Sequence, residues 1–220
     1  MTGRQLQREF EMSASTFNEF KPFSFKGNEI NYFLNEAQNV CVNKRLEQIS
    51  NKTEDKQKSI NELTDITVKD ITLVKDVGSS TTERDVYDFP NGYLYLINDR
   101  SNTLFCGATK FYDNRLTKLE NLYKILEHKY SSTIYKSPVS AISSNKLYIY
   151  KDGNFTISGV TIDYIRTYTD IDVIADTTSE LNPNIHKEIV QLAVAIALEN
   201  ISSGRFQSNV SKNIITEQIK

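Results

Sequence analysis

The segment DIDVIAD, residues 170–176, is the part of the sequence that most resembles a metal-binding loop. It supplies Asp170, Asp172 and Asp176, and carboxylates at alternating loop positions are ligands of EF-hand calcium sites. Ile174 occupies the third ligand position, however, and the glycine that such a loop needs for its sharp turn is absent. The segment therefore predicts solvated carboxylates that follow a strand, and we expect neither a metal nor a cofactor.

Two histidines and eight glycines are the other residues that could support catalysis. His128 precedes Lys129 at the end of a predicted helix, and His186 lies in the first turn of the last predicted helix. Neither histidine stands at a metal-ligand spacing from Cys, Asp or Glu. The glycines are too scattered for a phosphate-binding loop or a nucleophile elbow. We therefore expect no enzyme activity and no catalytic residues.

Cys41 lies on the apolar face of a predicted helix, and Cys106 lies near the end of a strand. We expect two reduced, buried thiols, although the sequence leaves a disulfide between them open. The formal net charge of −2 gives no general attraction to nucleic acid or to an acidic membrane. The longest apolar run, Leu192 to Leu198, is far shorter than the ~20 residues of a membrane span. We expect synthesis in the cytosol and no membrane association.

Helical periodicity is strongest near the two ends of the chain. A short helix is predicted over Gly3–Ala14, and a longer one from Asn28, a suitable N-cap, to about Ile49. A polar linker and a short helix through Ile60 and Leu63 follow. The apolar residues at helical spacing in the long helix are Ile30, Phe33, Leu34, Ala37, Val40 and Cys41.

Alternating β-forming residues dominate the middle of the chain. The predicted strands lie in TVKDITLVKDV, GYLYLIND, KLYIYKDGNFTIS and GVTIDYIRTYTDIDVI. Asp152-Gly153 predicts a tight hairpin within the third of these segments. GSSTTERDVYDFPNG is interpreted as a mobile loop followed by a turn. LTKLENLYKILEHKY predicts an inserted helix near 116–128, with Leu116, Leu119, Leu122, Tyr123 and Leu126 on one face.

These elements predict an α+β fold, in which N- and C-terminal helices form a bundle and the middle is β-rich with an inserted helix. The expected regions are an N-terminal helical region (1–66), a β-rich region (67–180), a C-terminal helix (181–204) and a C-terminal arm (205–220). Asn182-Pro183 suits the start of the last helix, and Gly204 is placed to end it.

The last helix carries apolar residues on two sides, in the sequence EIVQLAVAIALEN. Ile185, Ile189, Leu192 and Ile196 form one stripe, and Val190, Val194, Ala197 and Ile201 form a second. Either the helix is covered on both sides within one domain, or it lies between its own core and a neighbouring subunit. Under the second alternative Val190, Val194 and Ile201 are candidate subunit-interface residues.

Two further segments contain apolar residues that are candidates for a subunit interface. FNEFKPFSFKG contains Phe20, Phe23 and Phe25 in an irregular stretch that should lie across another surface. The polar tail keeps Phe206, Val210 and Ile214 as sparse apolar anchors. We expect Met1–Ala14 and Arg205–Lys220 to be docking arms.

Five segments, taken in order, resemble virion proteins of crAss-like bacteriophages that form rings in the neck and collar, between portal and tail. They are GRQLQREFE, INYFLNEAQNVCVNKRL, FPNGYLYLI, VTIDYIRT and ELNPNIHKEIVQLAVAIALENI. The resemblance extends from about Gly3 to Gln207 and rests on the ordered set of segments. The layout is also similar to head-to-tail adaptor proteins of short-tailed phages, which combine a helical bundle with a β-rich part.

The resemblance implies a structural subunit of a ring, present in twelve copies in the virion and assembled in the host cytoplasm. It implies contacts with copies of itself, with the portal and with neighbouring neck or tail proteins. Genome DNA would pass nearby without sequence-specific binding. The alternative is a nucleic-acid-associated module without catalytic activity, because GYLYLI and KLYIYKDGNF place aromatic residues on strands. Basic residues are not clustered beside those aromatic residues.

Overall fold

The chain is a mixed α+β protein in a computed structural model. The structure describes the backbone of residues 1–16, 25–51, 53–128 and 131–217, and the side chains of 1–15, 25–49, 57–128 and 131–200. It divides into two compact units. The helical unit consists of Met1–Ile66 and Tyr168–Lys220, and the β-rich unit consists of Thr67–Thr167. The β-rich unit thus ends thirteen residues before the expected boundary at 180.

Except at the end of the last helix, the helices begin and end close to the positions that periodicity predicts. Their bounds are α1 Gly3–Thr16, α2 Gly27–Asn51, α3 Thr53–Glu62, α4 Leu119–Glu127 and α5 Pro183–Glu217, with a 3₁₀ turn at Thr64–Ile66. Asn182 caps α5 as expected, because its Oδ1 accepts the amide of Asn184 at 3.1 Å. The last helix was expected to end at Gly204, but its backbone continues to Glu217. A glycine inside a helix costs only about 1 kcal/mol, so it does not enforce a stop.

The core of the helical unit lies where α2 contacts α3 and α5, and where α5 also contacts α1. On α1, α2 and α5 the buried apolar side chains recur at helical spacing, including Leu6, Phe10, Ile30, Leu34, Ala37, Ile189, Ala193 and Ala197. The small alanines of α5 allow its neighbours to approach closely.

The β-rich unit contains two sheets. The strands are β1 Thr67–Thr72, β2 Val74–Lys75, β3 Arg84–Asp88, β4 Tyr93–Phe105, β5 Ala108–Asp113, β6 Arg115–Leu116, β7 Val139–Ser143, β8 Lys146–Tyr150 and β9 Thr156–Arg166. Sheet A has the order β1-β9-β4-β5, and sheet B has the order β2-β3-β8-β7-β6. All pairings are antiparallel except that of β6 with β7. Side chains from both sheets, among them Leu96, Ile162, Tyr87 and Ile149, share one apolar cluster.

The hairpin predicted at Asp152-Gly153 is wrong. β8 pairs with β3 and β7, whereas β9 pairs with β1 and β4. The segment at Asp152-Gly153 therefore carries the chain from sheet B to sheet A, and Gly153 supplies the positive φ of 83° that this turn requires. Turn residues specify a local change of direction but not which strands pair afterwards.

The tight hairpins occur at two less obvious dipeptides. Cys106-Gly107 joins β4 to β5, and Ser144-Asn145 joins β7 to β8. All four residues have positive φ, as a type I′ turn requires. Cys106 is consequently exposed, which corrects the expectation of a buried thiol, while Cys41 is buried and both thiols are free. β3 lies within GSSTTERDVYDFPNG, a segment that was expected to be a loop.

Candidate interaction surfaces

Residues 168–182, which we call the strap, have no regular secondary structure and are held along α2 by three side-chain amides. Asn35 Nδ2 donates to the carbonyl of Ile171 at 3.0 Å, and Asn35 Oδ1 accepts the amide of Ile171 at 2.7 Å. Asn31 accepts the amide of Val173 at 2.8 Å, and Gln38 donates to the carbonyl of Thr169 at 3.2 Å.

The spacing of these amides matches the strap. The helix rises about 6 Å over the four residues from Asn31 to Asn35 and about 4.5 Å over the three from Asn35 to Gln38. Two extended residues of the strap span about 6.6 Å, a similar length. Asn31, Asn35 and Gln38 therefore meet every second residue of the strap, as a neighbouring strand would. This arrangement was not predicted from the sequence, in which the polar residues on one face of α2 were the signal for it.

Asp170 and Asp176 of DIDVIAD are exposed, as expected, and Asp172 is partly buried. Asp172 and Asp176 also accept hydrogen bonds that form a turn and a helix cap. Asp172 Oδ1 accepts Nδ2 of Asn31 and the amides of Ile174 and Ala175, and these bonds, led by that of Asn31, lower the pKa of Asp172. Asp176 Oδ1 accepts the amide of Arg4 at 2.8 Å in the first turn of α1, which lowers its pKa. In the described part of the chain, no group of three or more His, Cys, Asp or Glu side chains could hold a metal ion.

His186 is buried and is bound on both ring nitrogens. Nε2 lies 2.9 Å from the carbonyl of Leu181 and Nδ1 lies 2.8 Å from the amino nitrogen of Met1. A carbonyl only accepts, so Nε2 carries the hydrogen and Nδ1 accepts from the ammonium group. Burial, and then the positive charge of the N-terminus, lower the pKa of His186. This histidine links the strap, α5 and the N-terminus. His128 lies just beyond the end of α4.

A buried guanidinium joins three helices of the helical unit. Arg45 on α2 contacts Glu62 of α3 and Glu188 of α5, each at 2.7 Å, and donates to the carbonyl of Cys41 at 3.0 Å. The bond from Arg45 is the main cause that lowers the pKa of Glu188. Burial raises the pKa of the Cys41 thiol, so this cysteine is not activated as a nucleophile.

Two aspartates are buried in the β-rich unit, in opposite electrostatic settings. Asp85 contacts Lys75 at 2.8 Å and Lys151 at 2.7 Å. Asp99 accepts Nδ2 of Asn114 at 2.8 Å, and no Lys or Arg among the described residues forms an ion pair with it. Burial is the main cause that raises the pKa of Asp99.

The structure places only three of the nine candidate interface residues. Phe25 is half-buried and contacts the rings of Phe10 and Phe33. Val190 and Val194 are each 2% exposed, which leaves no surface there for a second copy. The side chains of Phe20, Phe23, Ile201, Phe206, Val210 and Ile214 lie outside the described residues.

The expectation that Met1–Ala14 forms a docking arm is corrected by the burial of α1. Leu6 and Phe10 of α1 are fully buried against their own chain, so Met1–Ala14 belongs to the core of the helical unit. Its apolar side chains are at helical spacing, and such a helix is more stable when packed than when free. The side chains of the C-terminal segment, 205–220, lie outside the part of the chain that the structure describes.

Exposed apolar side chains of the β-rich unit lie on α4 and just before it. Leu116, Leu119 and Tyr123 are 50%, 46% and 75% exposed, and we call them the α4 surface. Of the apolar face predicted for this helix, only Leu122 is buried, while Leu126 is partly buried. A groove of about 840 Å³ runs beside Tyr123 and Leu126, with Tyr150 and Lys151 in its lining.

Comparison with known proteins finds no family model that matches the chain and no characterised protein whose sequence matches it. None of the helices in the described residues is both long enough and apolar enough to span a membrane.

Proposed function

We propose that this protein is a structural subunit of a ring in the neck of a bacteriophage virion, connecting the portal to the tail around the channel for the genome. The observation that carries the proposal is the α4 surface. Three large apolar side chains at about half exposure or more, on one short segment, are typical of a protein-protein contact. Their exposure in a single copy favours burial by a neighbour.

The layout and the sequence resemblance give further support. A helical unit interrupted by a β-rich unit is similar to the architecture of head-to-tail adaptor proteins. In the proposed subunit, α1, α2, α3 and α5 form a helical bundle, and the β-rich unit carries the contact surface. The ordered segments that resemble crAss-like neck proteins lie in both units.

In this proposal twelve copies form a closed ring through heterologous contacts, in which one surface of a copy meets a different surface of the next. The subunit has no catalytic role, and it contacts the portal and the neighbouring neck or tail proteins. DNA passes along the ring without sequence-specific binding, and the protein resides in the virion after assembly in the host cytoplasm.

Light scattering of the purified chain, alone and mixed with the portal and neighbouring neck proteins, tests the proposal. We expect a large closed oligomer, visible as a ring by electron microscopy. The double substitution Leu119→Ser and Tyr123→Ser should reduce assembly at least tenfold, because it removes about 1.4 kcal/mol or more of apolar contact. Glu120→Ser with Lys124→Ser on the same helix is the matched control and should assemble normally.

A stable monomer that ignores these partners would contradict the proposal. If that monomer instead bound DNA in a salt-dependent way, the nucleic-acid-associated alternative would replace it.

A further inference from the structure

β5 is an open edge of sheet A. It pairs with β4 on one side, and no strand in the described ranges pairs with its other side. The pairing with β4 is regular over all six residues, from Ala108 opposite Phe105 to Asp113 opposite Arg100. Edges of this kind are templates for the addition of another strand.

The turn at Cys106-Gly107 determines which backbone groups of β5 point outwards. Phe105 and Ala108 flank a two-residue turn and therefore form a hydrogen-bonded pair, so every second residue of β5 bonds to β4. The carbonyl of Lys110 accordingly lies within reach of Thr103 on β4, at 3.4 Å from its Oγ1. Thr109, Phe111 and Asp113 direct their N–H and C=O groups to the free edge.

The other sheet edges in the described residues are short or interrupted. The pairing of β1 shifts register between Val68 and Ile71, and Asp70 there has a φ of 57° and donates its amide to the side chain of Asp163. Bulges of this kind protect an edge from further pairing. β2 and β6 have two residues each. β5 is thus the long, regular edge.

The side chains around this edge indicate the chemistry of a partner. Phe111 is 61% exposed and shares the outer face of the sheet with Leu104. Leu104 lies opposite Thr109, which is two residues from Phe111, and alternate residues of a strand lie on one face. On the other face the exposed Lys110 is next to Tyr112, whose ring contacts Tyr135 at 6.0 Å. Lys136 lies over the Tyr135 ring, at 5.6 Å.

We infer that the β5 edge receives an extended segment of a neighbouring neck protein, which adds a fifth strand to sheet A. The segment carries an apolar side chain against Phe111 and Leu104, and a carboxylate against the basic side chains of Lys110 and Lys136. Two copies of β5 could pair only about a two-fold axis, whereas ring contacts are heterologous. The inference rests on the proposed function, because that function supplies the partner.

Residue-resolved hydrogen exchange, on the full chain alone and in its complex with the portal and neck proteins, tests the inference. The amides of Thr109, Phe111 and Asp113 should exchange at least about tenfold more slowly in the complex. Those of Lys110 and Tyr112 bond to β4 in both states and should change little. Thr109→Pro removes one outward amide and should weaken the complex, whereas Thr109→Val, the matched control, should not.

The outcomes separate the inference from the proposed function. A complex that forms while the three outward amides exchange as fast as in the free chain overturns the inference and leaves the ring proposal standing. Slowing of these amides in a dimer of the chain alone also overturns it, because the occupant would be a second copy. Failure to form any assembly overturns both.

Discussion

At the residue scale, polar side chains hold together parts of the chain that secondary structure does not connect. The strap has no strand partner, and amides from α2 take the place of one. Each such amide satisfies backbone groups that would otherwise be partly buried without a hydrogen bond. The polar residues of α2 therefore contribute to the fold in addition to its apolar stripe.

Asn35→Ala should destabilise the chain by about 2 kcal/mol, because it leaves both the amide and the carbonyl of Ile171 without their partners. Asn43→Ala, at an exposed position on the same helix, is the matched control and should change stability by less than about 0.5 kcal/mol. Urea unfolding followed by circular dichroism measures both values. Equal effects of the two substitutions would show that the amide does not hold the strap.

The two buried aspartates of the β-rich unit should respond oppositely to neutralisation. Asp85→Asn removes the partner of two lysines and should destabilise the chain by about 3 kcal/mol at pH 7.

The folded pKa of Asp99 is raised, so its contribution to stability is present below the unfolded pKa and is lost as pH rises through the folded value. Asp99→Asn should therefore make the chain more stable at pH 7.

Thermal unfolding between pH 3 and pH 7 tests the expectation for Asp99. The difference between Asp99→Asn and the wild-type chain should grow as pH rises and should be small at pH 3. A destabilised Asp99→Asn at pH 7 would mean that its carboxylate is stabilised by its hydrogen bonds in spite of its burial.

At the scale of elements, the strap and α1 approach each other so closely that glycine is required. A Cβ added to Gly3 would lie 2.7 Å from the carbonyl oxygen of Asp172, which is backbone and cannot move aside cheaply. Gly3→Ala should lower the melting temperature by several degrees, a loss of about 1–3 kcal/mol. Gly159→Ala in β9, where a Cβ meets nothing within 4 Å, is the control and should not lower it. An unchanged melting temperature for Gly3→Ala would show that the strap shifts freely.

At the scale of the whole molecule, the two units differ in how the chain forms them. The β-rich unit is one continuous segment whose ends lie close together, since Thr67 pairs with Ile165. The helical unit is formed by two segments, one before and one after the β-rich unit in the sequence. This arrangement suits the insertion of one folding unit into another.

A fragment of residues 67–167 should therefore fold alone and unfold cooperatively, because it contains all nine strands described. A fragment of residues 67–150 lacks β9, which pairs with both β1 and β4, and it should not fold. Amide chemical-shift dispersion distinguishes the two results. If residues 67–167 remained unfolded, the β-rich unit would depend on the helical unit for its stability.

The sequence by itself determined the elements whose signals are local. Apolar spacing predicted α1, α2 and α5, alternation predicted several strands, and together they predicted the α+β class, because period and caps are properties of neighbouring residues. The predicted hairpin at Asp152-Gly153 shows the limit of such signals. The dipeptide does form a turn, but the choice of partner strand depends on residues distant in sequence.

Tertiary structure decided which surfaces are covered. Val190 and Val194 were candidates for a subunit contact but are buried within their own chain. Leu119 and Tyr123 were assigned to an apolar face but remain exposed. The same apolar pattern serves a core or an interface, since burial free energy depends on the area covered and not on which chain covers it. The strap on α2 and the open edge of β5 likewise follow from contacts between distant segments, which no local pattern encodes.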